Sequence, residues 1–234
     1  MSTMFGRQDK VCDIRPLPVI TNAAGYFAEL DRVLQRLPYD IIDQITTRLA
    51  CAYQDNRTLF LFGNGGSAAL ASHSACDLGK GTVMQGKHRF RVLALTDSIP
   101  MMTAWANDVS YDDIFAEQLL NFVQQDDIVL AISGSGNSPN VLNGLKVGRE
   151  AGAYSIGLTG YQGGKMKGLC DLCLVVPSDN MQFIEDLHTC ITHSIFTTLR
   201  NIITTSEPSP AASGRIAVHT SVGRAVSASG IAEA

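Results

Sequence analysis

Short runs of apolar residues alternate with longer stretches of mixed polarity along most of this chain. Each apolar run is nearly continuous and is bounded by turn residues, which is typical of parallel strands buried on both faces. The predicted strands span residues 58–63, 90–96, 128–133, 154–159 and 172–177. Predicted helices lie between them at 67–78, 98–106, 111–124 and 138–152. This alternation predicts an α/β fold, a three-layer sandwich around a five-stranded parallel sheet.

Amphipathic segments flank this repeating pattern at both ends. Two N-terminal helices are predicted at about 21–36 and 39–55, and a long C-terminal helix at about 181–203. The length of 234 residues fits one domain. We therefore divide the chain into an N-terminal extension (1–20), a single domain (21–203) and a tail (204–234). The tail is rich in Ser, Ala, Gly and Pro and lacks aromatic residues, so it is predicted to be disordered.

Composition and charge limit the cellular location and the kinds of partner expected for this protein. The formal net charge of −4 disfavours a broad nucleic-acid-binding surface. No apolar run approaches the roughly 20 residues needed to cross a bilayer, and no apolar signal core opens the chain. These features predict a cytoplasmic protein with neither a nucleic-acid nor a membrane partner. The six cysteines are therefore expected to be reduced, and the lone Cys170-x-x-Cys173 pair to be buried thiols rather than a zinc knuckle.

Two predicted strands run directly into loops rich in glycine and serine. The first loop comprises residues 63–67 (GNGGS), and the second comprises residues 133–139 (SGSGNSP). Glycines allow close approach of an anion, and the N-terminus of the following helix offers free N–H groups. Ser67 and Ser138 could alternatively be plain helix caps. Two such loops on one sheet favour a phosphate site, and the missing P-loop lysine argues against nucleotide hydrolysis.

A dinucleotide site is a competing interpretation of the first loop. Gly63, Gly65 and Ala68 match the pattern G-x-G-x-x-A, and Asp97 is a late candidate for the ribose-binding acid. A dinucleotide-binding fold does not explain the serine-rich second loop. Hydroxyl and N–H groups from two loops suit a terminal phosphomonoester better.

Histidine and acidic residues recur at helical spacing in two predicted helices. His73 and Asp77 are four residues apart and share one face, whereas Glu185 and His193 are eight apart, close to two turns. Two imidazoles and two carboxylates suit a divalent metal or acid–base chemistry. Spacing alone leaves open the alternative of solvated charges on amphipathic helices.

Several of these motifs together resemble one known family. The loop GNGGS, the segments AISGSGNSPNVL and TAWANDVSYDDIF, and the helix IEDLHTCITH are similar to the sugar isomerase (SIS) domain. The similarity runs from about residue 20 to 203 and is closest to the phosphoheptose isomerases. These enzymes convert sedoheptulose 7-phosphate into D-glycero-D-manno-heptose 7-phosphate. The resemblance implies a flavodoxin-like sheet order, a homotetramer and active sites shared between subunits.

The resemblance also implies roles for particular residues. Substrate- or phosphate-binding positions fall on Asn64, Gly65, Gly66, Ser67, Asp108, Ser133, Ser135 and Ser138. The metal-binding quartet falls on His73, Asp77, Glu185 and His193, with zinc as the expected divalent ion. The acid–base pair falls on Asp77 and His193, and Glu185 is a further candidate catalytic base.

Four positions depart from the family pattern. Gly134 replaces a threonine, so one loop hydroxyl is missing. Asp77 replaces a glutamate and is shorter by one methylene, while Glu185 replaces a glutamine and adds a negative charge. Gly81 stands where the family has an arginine, with Lys80 beside it. These changes permit a shifted substrate.

The sequence therefore predicts an aldose–ketose isomerase that acts on a sugar phosphate through an enediol. The substrate expected from the resemblance is sedoheptulose 7-phosphate. The alternative is a non-catalytic SIS protein that binds a phosphosugar as a regulator, or that binds a protein partner.

Overall fold

The computed structural model describes residues 19–205. Most of the predicted N-terminal extension and of the predicted tail lies outside the described residues. The described part is one α/β unit, and its last helix continues to Thr205, two residues beyond the predicted end of the domain.

The five predicted strands are confirmed and form one parallel sheet. Strands β2 and β5 are shorter than their apolar runs. The strands are β1 (Thr58–Gly63), β2 (Arg91–Ala94), β3 (Ile128–Ile132), β4 (Tyr154–Thr159) and β5 (Leu172–Val175). Their order in the sheet is β2-β1-β3-β4-β5. This is the flavodoxin-like order, in which the chain reverses direction across the sheet between β1 and β3.

Seven α-helices cover the sheet. They are α1 (Ala23–Leu34), α2 (Tyr39–Gln54), α3 (Gly66–Gly81), α4 (Ile99–Asp108), α5 (Ala116–Leu120), α6 (Pro139–Glu150) and α7 (Met181–Thr205). Residues of α1, α2, α3 and α7 share one apolar core with the sheet. Residues of α5 and α6 belong to a second core on the other face. The predicted three-layer sandwich is therefore confirmed.

The predicted helix over 111–124 is wrong in its extent. The chain makes a 3-10 turn at Tyr111–Asp113 and then the short helix α5. Ile114, Phe115 and Leu119 are completely buried. Burial of these neighbouring apolar side chains fixes the path of the chain here and interrupts the helical periodicity. Within residues 19–205, no helix is both long and apolar enough to cross a membrane.

Gly63 ends β1 at a point of very close contact. A Cβ atom on this residue would lie 2.6 Å from the Ile132 carbonyl oxygen and 2.8 Å from the Ser67 Cβ. The backbone of β3 and the start of α3 both converge on this position. Only glycine fits here, and its absence of a side chain brings the ends of β1 and β3 together.

Gly63→Ala is expected to lower the free energy of unfolding by about 1–3 kcal/mol, because the new methyl group would press on backbone atoms. Urea denaturation measures this change. Gly168→Ala is the matched control, since a Cβ there meets nothing within 4 Å and should change stability by less than about 0.5 kcal/mol. Equal effects of the two substitutions would contradict the packing explanation.

Candidate functional site

The two glycine-serine loops lie side by side at the carboxyl edge of the sheet. Gly63 of β1 pairs with Ile132 of β3, so the first loop (residues 63–67) and the second loop (residues 133–139) begin at adjacent positions. Ligands of open α/β sheets bind at this edge, where the strand order reverses. The predicted loop residues are therefore brought together by the topology.

Asn64 is held by a network of side-chain hydrogen bonds. Its amide nitrogen donates to the Asn140 Oδ1 at 2.8 Å, and the Asn140 amide donates back to the Asn64 Oδ1 at 2.9 Å. The Tyr111 hydroxyl also donates to the Asn64 Oδ1, at 3.1 Å. Asn140 is almost fully buried. These bonds fix the orientation of the first loop relative to the start of α6.

The second loop gathers hydroxyl groups around a tight turn. The Oγ atoms of Ser133 and Ser138 are 3.4 Å apart, and the Gly136 N–H donates to the Ser133 Oγ. Gly136 has a φ of +64°, and a Cβ there would lie 2.3 Å from the Gly163 carbonyl oxygen. The loop therefore requires glycine at this position both for its conformation and for its contact with the segment around Gly163.

The serines are not used as ordinary helix caps. Ser138 occupies the N-cap position of α6, yet its side chain makes no capping hydrogen bond. Ser67 lies inside α3, whose N-cap residue is Gly65. The structure therefore contradicts the alternative that these two serines serve only as helix caps.

Gly134 sits beneath the side chain of Met181. A Cβ on Gly134 would lie 2.5 Å from the Met181 Sδ. The thioether at the start of α7 thus occupies space that a threonine at position 134 would need. A threonine at position 134 would therefore require the Met181 side chain to move.

Helices α3 and α7 bring three of the predicted ligands into one group. The His73 Nε2 lies 2.8 Å from the His193 Nε2 and 3.4 Å from the Asp77 Oδ2, which is 3.7 Å from the His193 Nε2. Both histidine side chains are half exposed, and that of Asp77 is 27% exposed. The three ligand atoms could hold one metal ion.

The donor set and its spacing fit a zinc ion. Zinc binds imidazole nitrogen and carboxylate oxygen at about 2.0–2.2 Å, so tetrahedral ligand atoms lie about 3.3 Å apart. The three measured separations bracket that value. The group brings together side chains from two helices at one point.

Glu185 lies elsewhere on α7. A Cβ on Gly66 would be 3.2 Å from the Glu185 Oε1, so this carboxylate lies over the first loop. It borders a cavity of about 200 Å³ together with Gly66, Ser67 and His188. The structure therefore separates Glu185 from the group formed by His73, Asp77 and His193.

Asp108 is the last residue of α4 and is exposed. Its carboxylate accepts a hydrogen bond from the Asn107 amide at 2.7 Å. The nearest link to the loops is through Tyr111, three residues later, which contacts Asn64. Asp97, the candidate ribose acid, instead accepts a hydrogen bond from the Ser72 hydroxyl.

Sequence reasoning missed Asn140, Tyr111 and Met181. Asn140 directly follows Pro139 at the start of a predicted helix. A polar side chain that becomes buried at such a position needs hydrogen-bond partners, and this was the available signal. Tyr111 and Met181 carried no local signal, because their positions depend on how α4 and α7 return to the loops.

His188 is a buried histidine behind the cavity. Its Nε2 lies 3.2 Å from the Thr159 carbonyl oxygen, and the side chain is almost completely buried. Burial lowers the pKa of His188 to about 4, and the hydrogen bond to Thr159 opposes this only in part. The imidazole is therefore neutral at pH 7.

Protonation of His188 should make stability depend on pH. Because the folded pKa lies below the unfolded value of 6.5, the unfolded state binds the proton first as pH falls. Stability is therefore lost below about pH 6.5. Between pH 8 and pH 5, we expect this residue alone to lower the free energy of unfolding by about 2 kcal/mol. Urea denaturation at both pH values measures the loss, and His188→Gln should remove it. An unchanged pH dependence in that variant would contradict the assignment.

A parallel α/β sandwich with glycine- and serine-containing loops at its switch point is the architecture of a SIS domain. The SIS domain model matches residues 25–160. A phosphoheptose isomerase from Bradyrhizobium sp. is 40% identical over 156 residues, 67% of this chain and 78% of that protein. Another from Aliarcobacter butzleri is 42% identical over 142 residues, 61% of this chain and 75% of that protein. The phosphoheptose isomerase structure from Neisseria gonorrhoeae has a TM-score of 0.71 at 28% identity, covering 76% of this chain and 96% of that one.

The chain belongs to the SIS-domain family and, within it, to the phosphoheptose isomerases, so it is a sugar-phosphate isomerase. The dinucleotide interpretation of the first loop finds no support among these relatives.

A zinc titration tests the three-residue group directly. His73→Ala and His193→Ala should each weaken zinc binding by well over tenfold, because each removes one ligand. Glu185→Gln should weaken it much less, because Glu185 lies outside the group. Calorimetry on chelator-treated protein measures the affinities. If Glu185→Gln is as damaging as His73→Ala, Glu185 is a fourth ligand and this grouping is wrong.

Proposed function

We propose that the protein interconverts sedoheptulose 7-phosphate and D-glycero-D-manno-heptose 7-phosphate by proton transfer between C1 and C2 through an enediol. One observation carries the proposal: the first loop and the His73–Asp77–His193 group lie along α3, and the second loop begins beside the first at the edge of the sheet. With a rise of 1.5 Å per residue, His73 lies about 10 Å from Gly66 along α3. That span suits the carbon chain of an extended seven-carbon sugar phosphate.

The second loop is the better candidate for the phosphate. It offers the hydroxyls of Ser133, Ser135 and Ser138 and the start of α6. The first loop faces the Glu185 carboxylate, which would repel a phosphate dianion there. We therefore assign Asn64, Gly65, Gly66 and Ser67 to the sugar side of the substrate, together with Asp108.

We assign the acid–base chemistry to the end of the site that is farther from the loops. Isomerisation needs a base near both carbons and stabilisation of the oxyanion that develops. Asp77 and His193 are close to each other and remain accessible, so we assign the proton transfer to this pair. We assign Glu185, which lies over the first loop, as a second carboxylate base.

His73, Asp77 and His193 would also hold a divalent metal, for which zinc is proposed. A bound ion would polarise the substrate carbonyl. A histidine that ligates metal is not at the same time a free base. Metal binding and proton transfer by His193 are therefore alternatives that experiment separates.

His193→Ala should lower the rate of isomerisation by about 10²–10⁴-fold, as expected for loss of a general acid–base group. Proton NMR in deuterated water with sedoheptulose 7-phosphate follows both the aldose product and deuterium entry at C2. Asn201→Ala, eight residues further along the same helix, is the control and should keep full activity. Full activity of His193→Ala would refute the mechanism.

The same assay with a chelator decides between the two roles of the group. A large loss of rate, restored by zinc, assigns the three residues to the metal. An unchanged rate assigns them to proton transfer alone.

A regulatory role is the second candidate function. The Vibrio vulnificus NanR protein complexed with ManNAc-6P has the same fold, with a TM-score of 0.53 at 12% identity and coverage of 75% of this chain and 59% of that one. A phosphosugar sensor needs the loops and has no use for the His73–Asp77–His193 group. Tight binding of a phosphosugar with no deuterium exchange into it would favour the sensor.

We also propose that the protein is a homotetramer whose sites lie at subunit interfaces. No residue of α4 is buried, although this helix carries Ile99, Met101, Met102 and Trp105. Exposed apolar surface of this kind is typical of subunit contacts. Native mass spectrometry should therefore show four chains of 25.1 kDa, and a monomer would contradict the proposal.

A further inference from the structure

The Cys170 and Cys173 thiols meet at one point of the fold, away from the proposed active site. A Cβ built on Gly157 would lie 2.8 Å from the Cys170 Sγ and 3.1 Å from the Cys173 Sγ. Both sulfurs therefore pack over the same glycine of β4, and the absence of a side chain there leaves room for the pair. Both residues are free thiols of intermediate exposure.

We propose that Cys170 and Cys173 form a reversible intrachain disulfide whose formation loosens the second loop. The sequence expectation of buried structural thiols does not explain why two sulfurs converge on a glycine. The consequence for substrate binding rests on the proposed function of the second loop, whereas the thiol chemistry does not.

The surroundings make the two sulfurs chemically unequal. The hydrogen bond from Cys170 lowers the pKa of the Cys173 thiol, and the positive charge of Lys167 lowers it further. The same hydrogen bond and burial raise the pKa of Cys170. Cys173 is therefore the nucleophilic thiolate and Cys170 the thiol that resolves the intermediate.

The oxidant in this proposal is a peroxide. The Cys173 thiolate attacks one peroxide oxygen, the O–O bond breaks, and the departing hydroxide takes up a proton to become water. The Cys170 sulfur then attacks the Cys173 sulfenic acid. The S–S bond forms, the S–O bond breaks, and hydroxide leaves with the Cys170 proton as a second water. Two thiols lose two electrons, and the peroxide gains them.

The fold links this pair to the second loop by two successive hydrogen bonds. The Cys170 N–H donates to the Met166 carbonyl at 3.1 Å, and the Met166 N–H donates to the Gly136 carbonyl at 3.0 Å. The segment before Met166 is also tightly packed, because a Cβ on Gly164 would lie 2.5 Å from the Ser135 carbonyl oxygen. A shift at Cys170 therefore reaches Ser135 and Gly136.

We expect disulfide formation to draw the two sulfurs together and to shift the backbone at Cys170. The bond length is about 2.05 Å, much shorter than the contact distance of two separate sulfurs. Cys173 is held in register with Gly157, and the Asp171 carboxylate accepts two hydrogen bonds from Ser155. The adjustment therefore falls on Cys170 and on the turn that precedes it.

Peptide mapping tests the covalent step. Cleavage after Lys167 and Glu185 releases residues 168–185, which contain only these two cysteines. After hydrogen peroxide treatment of the full chain, this peptide should lose the mass of two hydrogens, and dithiothreitol should restore it. Cys170→Ser should instead leave a sulfenic acid that dimedone traps on Cys173, and Cys173→Ser should trap none. Cys51→Ser, an exposed cysteine on α2, is the control and should behave as the unaltered chain.

Hydrogen exchange tests the link to the loop. Oxidation should speed amide exchange in residues 133–138 several-fold, with no change in the Cys173→Ser variant. Failure of the disulfide to form, or its formation with unchanged exchange in this loop, would overturn the proposal. If the protein isomerises no sugar phosphate in either state while both thiol results hold, the proposed function fails and the thiol switch stands.

Discussion

The side-by-side packing of α3 and α7 is the contact on which the whole site depends. Glu185 lies beside Gly66, and eight residues later His193 lies beside His73, which is seven residues after Gly66. The two helices therefore run in the same direction, with corresponding residues side by side along their length. Small residues permit this approach, since a Cβ on Gly81 would lie 2.5 Å from the Phe196 ring. Gly66 and Gly81 lower the intrinsic helix propensity of α3 and are explained by this contact, whereas Gly79 faces Val92 of β2.

A second constraint acts at the sheet edge, where glycine again sets the geometry. Gly63 lets the ends of β1 and β3 meet, and Gly136 lets the second loop rest on Gly163. Because these contacts involve backbone atoms, they cannot adjust to a larger residue. The two loops are consequently positioned by the sheet itself, which is the rigid support that a preorganised anion site needs.

The fold could be predicted largely from the sequence, and the site only in part. Continuous apolar runs mark all five strands, although the expected burial on both faces is wrong for the edge strands: β2 is mostly exposed and β5 is only partly buried. The helix over 111–124 was overextended because Phe115 is buried for tertiary reasons that periodicity does not encode. Spacing placed His73 with Asp77 correctly, since both lie on one helix face. Spacing also put Glu185 and His193 near one face of the last helix, but it could not place Glu185 relative to His73 and Asp77, because proximity between helices depends on their packing. Only the resemblance grouped all four residues as metal ligands.

Two of the departures from the family pattern that the resemblance implies change the local charge in the same direction. Loss of an arginine at Gly81 and gain of a carboxylate at Glu185 each make the α3–α7 region more negative by one charge. A more negative region holds a cation at His73, Asp77 and His193 more strongly and an anion less strongly. This is the reason for proposing that the substrate phosphate lies at the second loop, where the hydroxyls and the start of α6 are found. Met181 occupies the space beside Gly134, so the proposed anion site consists of Ser133, Ser135 and Ser138 and of the backbone conformation that Gly136 allows. The chemistry of this chain is therefore most sensitive to the geometry of residues 133–138, the segment on which the Met166 turn packs.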